Sequence, residues 1–246
     1  MISFRALIWL LFSIPFFACL SFAAFILLLI TWNPMLVTDI LKPVFSKVML
    51  WVLRIRLKVH GKNFLHQIKP AIFIGNHQSM LDLFIFPALL PNKTFGIGKK
   101  ELLRYPFLGW IVALTGQVTV DRSNHFRAMR SMQKVNDRIK KKGYSVFLCP
   151  EGTRSYTAKL LPFKKGAFYL AMQTRLPIVP IVVLNAYQFL PKGTLNLKSG
   201  IIEVHVLEPI STTDWKEENL KQYIAEVEQI FEKCLSLRNI TPLDPR

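Results

Sequence analysis

Between Ala6 and Thr38 the chain carries no charged side chain, and from Leu7 to Ile30 it is almost continuously apolar. A helix through these roughly 24 residues is about 36 Å long, enough to cross a hydrocarbon core of about 30 Å. A secretory signal peptide is the competing reading, with Arg5 as its basic start and Ser21-Phe22-Ala23-Ala24 as small residues near a cleavage point. The apolar part of such a signal normally stops at about 7 to 15 residues, so a retained anchor is the expectation. Pro15 interrupts the run, and a second patterned stretch follows from Asp39 to Leu57, carrying Ile40, Leu41, Val44, Val48, Leu50, Trp51, Val52 and Ile55. Two geometries therefore stay open: one full span, or a helical hairpin lying in one leaflet. Lys42, Lys47, Arg54, Arg56, Lys58 and Lys62 follow this region, whereas Arg5 alone precedes it. The positive-inside rule then puts the rest of the chain on the cytoplasmic side of the membrane.

The charge balance points to the same surface. Lys and Arg number 32 against 15 Asp and Glu, a net +17, while 51% of the 246 residues are hydrophobic and 19% charged. So much apolar sequence excludes a disordered chain. A nucleic-acid binder can be as basic but has no need of so many Leu, Ile and Phe, so anionic membrane phospholipids are the expected partner and nucleic acid is not. The length fits one sizeable domain with a small appendage, divided here into a membrane-associated helical segment, 1–57, and the main domain, 58–246. Cys19, Cys149 and Cys234 are odd in number and far apart, with neither a disulfide framework nor metal-ligand spacing.

Past Arg56, β-rich runs alternate with helical ones. Ala71–Ile74, Thr94–Ile97, Gln117–Val120, Ser145–Leu148, Ile178–Leu184 and Ile201–Leu207 read as strands, and Leu81–Leu90, His125–Lys142, Gly166–Thr174 and Trp215–Leu237 as helices. The fold class is α/β: a mixed sheet flanked by helices, preceded by the apolar helix or hairpin. Continuous runs such as Ile178–Leu184 read as strands buried on both faces, with Pro180 marking a bulge or an unpaired side.

Two constellations carry chemistry. Asn76-His77-Gln78-Ser79-Met80-Leu81-Asp82 follows the strand ending at Ile74, where α/β folds place their ligand loops. Five residues turn an α-helix by about 500°, which leaves positions 77 and 82 roughly 140° apart, so the two side chains meet only if His77 lies in the loop and Asp82 in the first turns of the helix. Asp82 then fixes the imidazole tautomer, and the other ring nitrogen is free to take a proton from a hydroxyl. The bland alternative is a helix cap by Asn76 or Ser79 with no catalytic role. No second His-Asp set is close enough in sequence to complete a metal sphere, and no metal is expected. The second constellation, Cys149-Pro150-Glu151-Gly152-Thr153-Arg154-Ser155, also follows a strand. Its Arg fork, two hydroxyls and close-approach glycine suit a phosphate, although an ordinary turn with a surface Arg has the same composition. Lys99, Lys100 and Arg122 end neighbouring strands and point to the same sheet edge.

These blocks resemble, in order, the motifs of the 1-acyl-sn-glycerol-3-phosphate acyltransferases. The resemblance runs from about Ala71 to Leu184 and rests on the NHQSMLD string, Lys100-Glu101-Leu102-Leu103, Pro106, Gly109, Gly116, Asp121-Arg122, PEGTRS, LPFKKGAF and Val179-Pro180-Ile181. It implies transfer of a fatty acyl group from acyl-CoA or acyl carrier protein to the sn-2 hydroxyl of lysophosphatidate, giving phosphatidate with no cofactor beyond the acyl donor and no covalent acyl-enzyme. On that resemblance His77 is the general base and Asp82 its orienter. Glu151, Gly152, Thr153 and Arg154 form the acceptor block, and Lys100 and Arg122 help hold phosphate. Backbone amides at the helix start after His77 are the expected oxyanion donors. Relatives that acylate other lysophospholipids or lyso-aminolipids share these motifs.

One position departs from the family pattern, Cys149 standing where Phe is usual, which opens a rival in which its thiolate is the nucleophile. A non-catalytic binder of anionic membranes is the reading from another class. The helix His125–Lys142 carries Arg127, Arg130, Lys134, Arg138 and Lys140 to Lys142, with Phe126, Met129, Val135 and Ile139 expected on its apolar face. Its basic side is either a solvated face, the commonest case, or a contact for headgroups, the phosphates of CoA, or an acidic carrier protein.

Overall fold

The computed structural model describes residues 4–121, 125–194 and 196–237. The chain opens with two helices, α1 (Phe4–Thr31) and α2 (Pro34–Val52), and then runs β1 (Ile55–His60), α3 (Phe64–Gln67), β2 (Ile72–Gly75), α4 (Asp82–Leu89) and β3 (Thr94–Lys99). A 3-10 turn at Lys100–Arg104 leads into α5 (Leu108–Leu114), β4 (Val118–Val120), α6 (His125–Lys142), β5 (Ser145–Leu148), α7 (Gly166–Thr174), β6 (Ile178–Val183), α8 (Ala186–Phe189), β7 (Gly200–Val206) and α9 (Leu220–Ser236).

The strands form one sheet in the order β1-β7-β6-β2-β5-β3-β4. Pairing is parallel throughout except between β6 and β7, so the sheet is mixed, as expected. β6 is buried along its whole length between β2 and β7. Its ladder with β7 begins at Ile181, and Pro180, which has no N–H, contributes its carbonyl to the Leu207 N–H.

Side-chain alternation divides the core. Phe73, Val179, Ile181, Val183, Ile202 and Val204 face α1, α2 and α4, whereas Ile72, Ile74, Val146, Leu148, Ile178 and Val182 face α6, α7 and α9. The result is a three-layer sandwich with its loops at the carboxyl ends of the parallel strands. Trp215, read as the start of the last helix, lies outside α9 and stacks on Tyr223 at 4.5 Å, filling the second core beside Phe168.

The N-terminal pair is a hairpin. Asn33 caps α2 by accepting N–H bonds from Met35 and Leu36, and Pro34 sits at its first position, where no N–H is needed. Inward residues Leu20, Ala24, Leu41, Phe45, Met49 and Leu50 join the first core, and the Phe45 ring meets Phe84 of α4 at 5.4 Å. Full burial of each large side chain contributes about 1.5–3 kcal/mol, so the hairpin is a layer of the domain as well as its start. Ser21 Oγ adds a bond to the Phe107 carbonyl, and Thr38 Oγ1 one to Thr115. The patterned stretch read as helical to Leu57 ends sooner: α2 ends at Val52, Arg54 takes a left-handed φ of 52°, and Ile55–Leu57 are the first residues of β1. Ile55 has the helical spacing of the preceding stretch, and only pairing with Gly200–Ile202 distinguishes Ile55–Leu57 as strand.

Gly75 ends β2 where the backbone passes close under Phe86. A Cβ there would lie 2.4 Å from the Phe86 ring. Gly75→Ala should lower the unfolding free energy by about 1–3 kcal/mol through overpacking. Adding Phe86→Leu should recover part of the loss, a coupling readable from a double-mutant cycle of denaturant midpoints.

Candidate active site

β2 delivers its chain to a loop, 76–81, pinned at both ends. The Asn76 side chain is buried, donating to the Val183 carbonyl and accepting the Val183 N–H, which ties the loop to the end of β6. At the far end Asp82 opens α4, 3% exposed. Its Oδ2 accepts three hydrogen bonds: from Gln78 N–H at 2.9 Å, Ser79 N–H at 3.0 Å and His77 Nδ1 at 2.8 Å. His77 thus lies in the loop and Asp82 in the first turn of the helix. The N-cap position of α4 is Leu81, which has no side-chain cap; Asp82, the first helical residue, instead accepts amides of the loop before it.

This contact assigns the tautomer. A carboxylate only accepts, so Nδ1 carries the proton and Nε2 presents its lone pair. The His77 side chain is 30% exposed, which leaves that nitrogen reachable. The amides of Gln78 and Ser79 are spent on Asp82, and that of Leu81 on Ser79 Oγ. The expectation that amides at this helix start bind an oxyanion fails for these three.

The second constellation folds directly against the first. Glu151 is buried and divides its oxygens, Oε1 accepting the His77 N–H at 2.5 Å and Oε2 the Leu161 N–H at 2.9 Å. The Ser155 N–H returns to the His77 carbonyl at 2.9 Å. Burial pushes the Glu151 carboxyl up to about 7, and the two amide donors pull against it. Arg154 reaches the same loop, its guanidinium 3.6 Å from Met80 Sδ, and forms no ion pair among the described residues. Lys192 donates to the Arg154 carbonyl and rests over the Tyr156 ring at 3.7 Å, holding the turn from beyond β6.

Gly152 takes φ +71°, and a Cβ on it would lie 3.0 Å from the Lys164 stem. Lys164 therefore brings its ammonium alongside the Glu151–Arg154 turn, while its backbone N–H donates to the Pro150 carbonyl. Lys164 is the cation that sequence reasoning left without a role. The signal lay in LPFKKGAF, but only the return of that segment onto residues 150–152 places it. Thr153 is exposed beside Gly152.

The remaining expected residues sit elsewhere on the edge. Lys100 pairs with Asp121 at 3.6 Å and Lys99 with Glu101 at 3.3 Å, at the ends of β3 and β4. Arg122 lies outside the described residues. On α6, Val135 and Ile139 are buried, but Phe126 and Met129 are 78% and 58% exposed, so its inward face is narrower than expected. Arg138 is engaged within the protein: it lies 5.1 Å from the centre of the Phe95 ring and donates to the Gly116 carbonyl. Cys149 is partly buried and packs beside Phe147 against the first core.

Comparison with known proteins places these features in context. A protein-family model described as Acyltransferase matches residues 56–184. A 1-acyl-sn-glycerol-3-phosphate acyltransferase of Limnanthes douglasii is 34% identical over 226 residues, covering 91% of this chain and 80% of the relative. Proteins of the same name from Cocos nucifera and Saccharomyces cerevisiae are 37% and 41% identical, over 76% and 74% of this chain. The chain spans 60% and 61% of the length of those two relatives. The crystal structure of the 1-acyl-sn-glycerophosphate acyltransferase PlsC from Thermotoga maritima superposes with a TM-score of 0.76 over 94% of both chains at 23% identity, and so shares the fold.

Glu151 generates a pH prediction. Its carboxyl titrates near 7 in the folded protein against 4.5 ordinarily, so the native state holds the proton more tightly. The stabilisation is complete below about pH 4.5 and is lost as pH rises toward 7. Denaturant unfolding in detergent micelles at pH 5 and pH 7.5 should show the wild type losing stability across this window and Glu151→Gln losing less.

Proposed function

The chain belongs to the acyltransferase family, and from that premise we propose that it transfers a fatty acyl group from an acyl thioester to the sn-2 hydroxyl of 1-acyl-sn-glycerol 3-phosphate, giving phosphatidate. The observation that carries the reading is the 2.8 Å contact of His77 Nδ1 with Asp82, which leaves Nε2 as a base at the mouth of the sheet. The acceptor hydroxyl gives its proton to Nε2 as its oxygen attacks the thioester carbonyl. Asp82 stabilises the imidazolium that forms. When the carbon–sulfur bond breaks, the imidazolium returns the proton to the departing thiolate, so no acyl-enzyme is needed and the ring ends as it began.

Arg154, without an ion pair among the described residues and beside the catalytic loop, is the ligand we assign to the acceptor phosphate, with Lys164 as a second cation. Glu151 positions the site, joining the His77 amide to the Leu161 segment. The donor is coenzyme A or acyl carrier protein thioester.

The acceptor is a lipid, and the hairpin supplies a place for it at a membrane. Leu11–Thr31 is long and apolar enough to cross one. Yet Leu20, Ser21 and Ala24 along it are buried against the domain, while Leu11, Ile14, Phe22, Leu29, Ile30, Trp32 and Trp51 point outward. A helix docked along one side and apolar along the other favours lying in one leaflet over crossing it alone. The catalytic layer then rests at the headgroups, on the cytoplasmic face by the charge rule.

Purified protein with lysophosphatidate should consume palmitoyl-CoA or palmitoyl-carrier protein and yield phosphatidate, scored by mass. His77→Ala should lower turnover by at least about 100-fold. Arg154→Ala should raise KM for lysophosphatidate more than it lowers kcat, and Cys149→Ala should retain activity. Equal or better use of a lysolipid bearing a head group would move the assignment to another acceptor, and loss of activity in folded Cys149→Ala would move it to a covalent thiol mechanism.

A further inference from the structure

A second chemistry-bearing cluster lies two to three strands away from β2, on the sheet face that α9 covers only in part. β1 and β7 run parallel in a register that sets Lys58 beside Glu203 and His60 beside His205. All four side chains emerge on one face, since Leu57, Val59, Ile202 and Val204 take the other into the first core. His60 Nε2 lies 2.8 Å from Glu203 Oε1, and His205 Nε2 lies 3.6 Å from the same oxygen. The two imidazole rings stack with centroids 4.5 Å apart.

We propose that His60, Glu203 and His205 form a binding site for a first-row divalent transition-metal ion, Zn2+ being the best fit. One atom from each side chain lies within 4.8 Å of the other two. Bonds of about 2.0–2.1 Å in a tetrahedral sphere need donors roughly 3.3 Å apart, so side-chain adjustments of about an ångström complete the set. Two imidazoles and one carboxylate suit zinc, and a water fills the fourth position. The backbone is already fixed: two donors stand at alternate positions of one strand and the third directly across a ladder. The His60 side chain is 43% exposed and gives the ion a path from solvent. Lys58, 3.6 Å from Glu203 and 57% exposed, is the cation that zinc displaces, and it has room to turn outward.

Such an ion would clip β1, the edge strand, to β7. β1 directly follows the membrane hairpin, so the clip fastens the joint between the anchor layer and the sheet. It takes no part in acyl transfer.

The test uses the full chain without a polyhistidine tag, stripped with chelator and dialysed in detergent micelles. Titration with Co2+ should give a tetrahedral visible absorption band that one equivalent of Zn2+ abolishes, and Zn2+ should raise the thermal midpoint. His60→Asn, at the exposed edge where folding is least at risk, should weaken Zn2+ binding at least tenfold and remove the thermal shift, as should His205→Asn if it folds. His77→Ala, which removes the other histidine–carboxylate set, should leave both readouts intact. No band in the wild type, or a band that survives His60→Asn and disappears in His77→Ala, overturns the proposal.

Discussion

One carboxylate oxygen organises the reactive end of this molecule. Asp82 Oδ2 accepts from the His77 ring and from two successive backbone amides, and it does so from a side chain almost wholly withdrawn from water. Three donors on one buried oxygen offset much of the desolvation of the charge. They also leave the loop little freedom, because ring orientation, helix start and loop path are set by the same atom. An imidazole held this way presents its second nitrogen in a fixed direction, and pre-organisation of that kind is where much of an enzyme's rate originates.

The second loop depends on the first through Glu151. Its two oxygens reach the backbone on opposite sides, His77 and Leu161, so the 151–155 turn, the Leu161 segment and the 76–81 loop are bound as one body. Burial makes this carboxylate costly, and its raised ionisation is the measure of that cost. The Ser155 amide on the His77 carbonyl and Lys192 on the Arg154 carbonyl close the assembly from further strands. Chemistry near His77 is therefore supported by residues more than 100 positions away in sequence.

Most of the regular structure was legible without coordinates. α6, α7 and β5 have the limits their periodicity predicts, because strong amphipathic or β-branched patterning and clear breakers coincide there. β1 was not legible, since its first residue, Ile55, continued a helical spacing and its identity rests on a partner some 145 positions later. α5 and the 3-10 turn before it are short and lack a distinct pattern. Phe126 and Met129 were expected inward on apolarity alone, yet a helix covering a sheet edge buries a narrower stripe than its sequence offers.

What the sequence determined by itself was local: an uncharged run fit for a membrane, the alternation of strands and helices, and a His and Asp whose spacing permits contact only across a loop–helix junction. These follow from short-range periodicity and the 3.6-residue turn, which any five-residue window contains. Tertiary structure alone decided which amides Asp82 and Glu151 engage, that Lys164 lies beside Gly152, that Arg138 contacts a carbonyl and a ring, and that two histidines and a glutamate share one patch. Each of these depends on which distant strands become neighbours. That choice belongs to the burial of the whole chain, where contacts between remote segments outweigh the preferences of any single one.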